Sequence, residues 1–98
     1  MTRQVALLVN DVPINLDYFV KGFIDHTVAG MLAGLEGTGE IETLDISIEG
    51  DEVGINLNNA TVPINLFTSK IVRNTIVGMV SSLKGAGEAN RINIGIKR

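Results

Sequence analysis

The chain reads as an α+β domain: a β-β-α-β unit present twice, its six strands in one mainly antiparallel sheet, its two helices on one sheet face, with pseudo-twofold symmetry. Three observations predict this. Short blocks recur in order: Val12-Pro13-Ile14-Asn15-Leu16 as Val62-Pro63-Ile64-Asn65-Leu66, Thr27-Val28-Ala29-Gly30-Met31 as Thr75-Ile76-Val77-Gly78-Met79, and Leu35-Glu36-Gly37 as Leu83-Lys84-Gly85. Other stretches alternate apolar and polar residues with period two, and two longer ones carry apolar residues at helical spacing. The aligned stretches (Val12 to Leu16, Thr27 to Glu49) contain 14 identities in 28 positions. The offset is 50 in the first block and 48 afterwards, which places two extra residues in the first copy near Tyr18 to Lys21. Two copies are too few for a stacked solenoid. The 98 residues therefore form one domain, 1–98, of two repeats at about 1–49 and 50–98.

Each unit opens with a strand. Val53, Ile55 and Leu57 alternate with Gly54, Asn56 and Asn58, whereas the matching Val5 to Val9 is apolar on both faces. Asn10-Asp11 and Asn58-Asn59-Ala60 suit tight turns, because Asn and Asp tolerate left-handed backbone. Val12 to Ile14 and Val62 to Ile64 follow as short second strands. The proline in each marks a sheet edge or a strand end, since it cannot donate to the ladder.

The helices come next. Val20, Phe23, Ile24, Thr27, Val28, Met31 and Leu35 share one face in the first copy, and Ile71, Val72, Thr75, Ile76, Met79 and Leu83 in the second. Asn15 and Asn65 can cap the starts, with Asp17 and Thr68 as rivals. Gly37 and Gly85 read as the C-terminal caps. Leu44 to Ile48 and Ile92 to Ile96 form the last strand of each unit, and Glu49-Gly50-Asp51-Glu52 turns the first into the second copy. The four aromatics, Tyr18, Phe19, Phe23 and Phe67, are expected in the core at the helix starts.

Composition excludes several functions. No cysteine is present, so there is no disulfide framework, thiolate metal site or Cys nucleophile. No apolar run approaches membrane-spanning length, and Met-Thr-Arg-Gln-Val lacks a signal-peptide pattern; the expected location is the cytoplasm. A net charge of −3 disfavours nucleic acid, whose binding rests on phosphate neutralisation. A basic second half keeps that reading open only if Lys70, Arg73, Lys84, Arg91, Lys97 and Arg98 share a face.

Val62-Pro63-Ile64-Asn65-Leu66-Phe67 and Arg73-Asn74-Thr75-Ile76-Val77-Gly78-Met79-Val80-Ser81-Ser82-Leu83-Lys84-Gly85 carry a resemblance. Each half is similar to a group of short prokaryotic proteins with no established activity. The first copy departs from the motif, with His26 for Asn74 and Ala33-Gly34 for Ser81-Ser82. The resemblance implies no catalytic residues. It implies that single-copy relatives pair as homodimers and that this chain holds such a dimer in one polypeptide.

Little in the sequence points to catalysis, a cofactor or a metal. The glycines of Gly37-Thr38-Gly39 and Gly85-Ala86-Gly87 follow their helices, whereas a phosphate loop precedes one. His26 is the only histidine, its neighbour Asp25 points elsewhere on a helix, and a metal site has no second histidine to use. Glu40, Glu42, Asp45, Glu49, Asp51 and Glu52 show strand alternation around a hairpin rather than calcium-loop spacing.

Small residues are more informative. A helix-interior glycine costs about 1 kcal/mol relative to alanine, so Gly22, Gly30 and Gly34 in one helix, with Gly78 matching Gly30, call for a close backbone. Contact between the two helices of the chain is the favoured source, with a second chain or a flexible, weakly packed helix as the alternatives. Residues 1–49 carry 8 acidic and 2 basic side chains, net −6, and residues 50–98 carry 3 and 6, net +3. Aligned pairs change sign: Asp25 with Arg73, Glu36 with Lys84, Glu49 with Lys97. Such charges can fix the pairing of two halves; neutral drift of surface charge is the other account.

The expected function is non-enzymatic: a protein-binding domain, monomeric as an internal pseudo-dimer rather than a homodimer. Its candidate interface residues are Val5, Leu7, Leu8, Gly22, Asp25, His26, Gly30, Arg73, Asn74 and Gly78, with Val5 to Val9 as an exposed sheet edge and the polar sheet face beside it. The alternative is a small ligand, or a minor enzymatic role, in a pocket between the helices.

Overall fold

The computed structural model describes residues 4–34, 41–83 and 90–97. The elements are β1 (Gln4–Val9), β2 (Val12–Pro13), α1 (Tyr18–Ala33), β3 (Thr43–Glu49), β4 (Glu52–Leu57), β5 (Ala60–Thr61), α2 (Leu66–Ser81) and β6 (Arg91–Lys97). One six-stranded sheet runs in the order β2-β1-β6-β3-β4-β5, and every neighbouring pair is antiparallel.

The long strands obey the alternation in their sequences. Leu44, Ile46 and Ile48, Ile55 and Leu57, and Ile92, Ile94 and Ile96 are buried, while Asp45, Ser47, Glu49 and Asn56 between them are exposed. Leu7 and Val9 join the same layer, and Ile24, Val28, Leu32, Val72, Ile76 and Val80 of the helices close over it. Burial of a branched aliphatic side chain contributes about 1.5–3 kcal/mol, so this layer is the main source of stability. The opposite sheet face is left open.

The hairpins follow from local chemistry. Asn10 and Asp11 have φ of 52° and 67°, and Asn58 and Asn59 have 51° and 67°. Two successive left-handed residues make the primed turn that matches strand twist. At the third hairpin only Gly50 is left-handed, with φ 60°.

Pairing runs across the middle of the sequence. β1 pairs along its whole length with β6, and β4 with β3, whereas β3 and β6 pair with each other at the centre. Val5 to Val9 is therefore not an outer edge. The outer strands are β2 and β5, and β2 covers only Leu8 and Val9 of β1.

The two identical pentapeptides occupy different places. Val12 and Pro13 form β2, but the corresponding strand β5 is Ala60–Thr61, and Val62-Pro63 comes after it. Ile14 N–H donates to Leu7 O at 2.9 Å and Val62 N–H to Ile55 O at 2.8 Å, so Val62 stands where Ile14 does. No two-residue excess exists near Tyr18: both helices have 16 residues and begin 48 apart. Hydrogen bonding outranks the repeated letters here, because each two-residue turn dictates which residues pair after it.

Asp17 caps α1, accepting from Val20 N–H at 2.8 Å, and Asn65 caps α2, accepting from Thr68 N–H at 2.7 Å. Asn15 precedes its helix without capping it. The helices stop at Ala33 and Ser81, one residue short of caps Gly34 and Ser82, both in right-handed conformation. Leu83 therefore lies beyond α2, while Leu35, Gly37 and Gly85 fall outside the described residues.

Candidate functional site

The clearest departure from the expected core is at the helix starts. Tyr18 is 95% exposed, Phe19 73%, Phe67 71% and Leu66 83%; Phe23 and Ile71 are about half exposed. The aromatics expected in the core are on the surface. Phe19 and Val28 are nine residues apart, which at 3.6 residues per turn sets them on opposite sides of α1. Val28 is buried, so Phe19 faces away from the sheet. Phe67 and the buried Ile76 repeat the relationship on α2.

Four residues of each helix continue that outer line at steps of four, three and four: Phe19, Phe23, His26 and Gly30 on α1, and Phe67, Ile71, Asn74 and Gly78 on α2. All eight are exposed. The Phe19 and Phe23 rings have centroids 6.2 Å apart, tilted by 35°. Each line is thus bulky and apolar at its start and glycine near its end.

Of the candidate interface residues, the structure brings His26, Gly30, Asn74 and Gly78 onto these lines, with Gly22 half-exposed alongside. The expected close contact between the helices at these glycines is absent. A Cβ built at Gly22, Gly30 or Gly78 would meet nothing among the described residues within 4 Å. Leu7 and Asp25 are inside, 2% and 1% exposed, and offer no surface. Val5 packs against the core, and Leu8 is half-buried on the open sheet face.

Arg73, another of the candidate interface residues, fastens α2 to the sheet. Its Nε donates to Gly50 O at 2.6 Å and lies 3.6 Å from Asp51 Oδ1, tying α2 to the β3–β4 turn, while Nη1 donates to the neighbouring Asn74 Oδ1 at 3.2 Å. Arg91 bridges strand ends instead. Its Nη1 reaches Asp11 Oδ2 at 2.9 Å and its Nη2 reaches Glu49 Oε1 at 3.4 Å. The Asp11 charge first, then Glu49, raises the Arg91 pKa above the usual arginine value. Of the basic side chains, Arg73 thus serves α2 and Arg91 the sheet.

The open sheet face is low and polar at its centre, with Asp45 opposite Gly95 and Ser47 opposite Asn93. A hollow of about 260 Å³ lies over one end of it, lined by residues that include Gln4, Ala6, Thr43, Asp45, Gly95 and Lys97. This hollow is in the sheet, away from the inter-helix position expected for a pocket. Among the described residues, no group of three or more His, Asp or Glu side chains could hold a metal ion. No helix among them is long and apolar enough to cross a membrane.

No protein-family model matches the chain, and no curated protein and no solved structure matches it.

Proposed function

We propose that the chain is a non-enzymatic protein-binding module, a β-β-α-β unit duplicated into one polypeptide, whose contact surface is the outer line of the two helices. One observation carries the binding reading: six large apolar side chains stand exposed on the helices, at matching positions of the first two turns. Contiguous apolar surface of this kind marks interaction sites.

The duplication rests on a constant spacing. Helix starts, caps, left-handed turn residues and the outer strands all recur 48 residues on. The strand order reads the same from either end once each element is exchanged for its counterpart. On this reading the chain is a covalent version of a paired ancestor.

A photo-crosslinking residue at Phe67, in cells that make the protein, tests the binding reading, with one at Asn56 on the open sheet face as the control. Crosslinks to protein from position 67 and none from 56 are expected. Equal yields, or none from 67, would overturn it.

A further inference from the structure

Resting on that reading, we infer that the partner of the helix face is a second copy of this chain, docked so that α1 of one molecule lies antiparallel on α2 of the other. Phe19 and Gly30 are eleven residues apart, as are Phe67 and Gly78, a separation of about 16 Å along each helix. An antiparallel pairing sets Phe19 over Gly78 of the partner subunit and Gly30 beneath Phe67 of the partner subunit. The twofold relation between the molecules repeats both contacts. Each bulky end then meets a glycine, and the surface is complementary to itself, as a closed dimer requires.

Three further facts agree. Among the described residues the glycines of these lines have open space where a Cβ would stand, so the described fold gives no reason for them. The six exposed apolar side chains offer on the order of 800 Å², and a standard interface takes roughly 800 Å² from each partner. None of the eight residues on the two lines is Asp, Glu, Lys or Arg, so neither line sets like charges against the other when they meet. The sequence places the glycines first at a contact within the chain; among the described residues that contact is absent, and the facing Phe19 and Phe67 of a second molecule fill the space instead.

Light scattering behind a sizing column, over a range of concentrations, tests the pairing. The expected mass is twice 10.5 kDa. Gly30→Leu and Gly78→Leu overfill the contact and should weaken dimerisation about tenfold or more. Their helical circular dichroism should be that of the parent, since both side chains enter solvent in the monomer. Asn56→Leu, on the open sheet face, should leave the dimer unchanged. A mass of 10.5 kDa throughout, or a dimer indifferent to both leucines, would overturn the inference. The crosslink at Phe67 separates this failure from that of the broader reading. A product of chain with chain supports self-pairing, a product with a different protein overturns self-pairing alone, and no product overturns both.

Discussion

Ile46 and Ile94 stand opposite each other on β3 and β6, each the middle residue of its strand and each about 1–2% exposed. The pairs around them are balanced: Leu44 faces Ile96 on one side and Ile48 faces Ile92 on the other. Every other core strand docks outward from this seam. Truncating Ile94→Ala leaves a cavity at the centre and should cost about 2–5 kcal/mol, measured by urea unfolding, with Ile46→Ala in the same range. A loss below 1 kcal/mol for either would mean that the seam is loosely packed.

Asn58 does two things that substitution can separate. Its left-handed backbone makes the turn, and its Oδ1 accepts from Glu42 N–H at 2.8 Å and Thr43 N–H at 3.0 Å, holding the start of β3. Asn10 does the same for Asn90 and Arg91 on β6. Asn58→Gly keeps the turn and loses the clamp, a cost of about 1–2 kcal/mol. Asn58→Ala adds roughly 1 kcal/mol of backbone strain. Hydrogen exchange at Thr43 should quicken in both, and unfolding midpoints should fall in the order parent, glycine, alanine.

Gly50 presents a different constraint. Its φ of 60° disfavours side chains other than Asn and Asp, and its carbonyl accepts from Arg73 Nε. Gly50→Ala should cost roughly 1–2 kcal/mol, read from thermal or urea unfolding, whereas Gly78→Ala should stabilise the monomer by up to about 1 kcal/mol, since its Cβ meets nothing.

Arg91 should answer to salt rather than to neutral pH. Its pKa is raised on folding, by Asp11 first and Glu49 second. The stabilisation is then complete below the ordinary arginine value and is lost only as pH rises through the raised one. Replacement by Gln should lower stability modestly at low ionic strength, and the difference should shrink in 1 M salt, where the screening length is about 3 Å. An unfolding titration in both salts decides it.

The charge division makes a separable prediction. Residues 1–49 and 50–98, prepared apart and mixed, should associate one to one, because β1 needs β6 and β4 needs β3. With net charges of −6 and +3 the mixed pair should displace pairs of like halves. Native mass spectrometry reads the ratio, and a statistical mixture would show that charge has no part in the pairing.

Strands were the most legible part of the sequence. Period-two alternation located β3, β4 and β6 to within a residue or so, because one face of each is buried. The second strands were obscured by an identical pentapeptide whose two copies fold differently: two residues of Asn58-Asn59 close the turn at once, so Ala60-Thr61 takes the pairing and Val62 is displaced. The helices were legible as elements but not in their orientation. Helical spacing groups Phe23 with Ile24 and Ile71 with Val72, yet neighbours on a helix diverge by about 100°, and only the second of each pair is buried. The Phe19-Phe23 and Phe67-Ile71 steps, at four residues and opposite the buried Val28 and Ile76, were the signal for a second apolar side. Helices apolar on two sides do not disclose which one meets the sheet.

Gln4 lies beside Lys97. Among the described strands, β1 thus takes its full-length partner from β6, the one farthest from it in sequence. At ribosomal rates of about 5–20 residues per second, β1 waits on the order of 5–20 s for β6 to appear. In that interval the edge of β1 that pairs with β6 has no native partner. Among the described strands, β1 is the one open to nascent-chain binding factors for longest before its native neighbour is made.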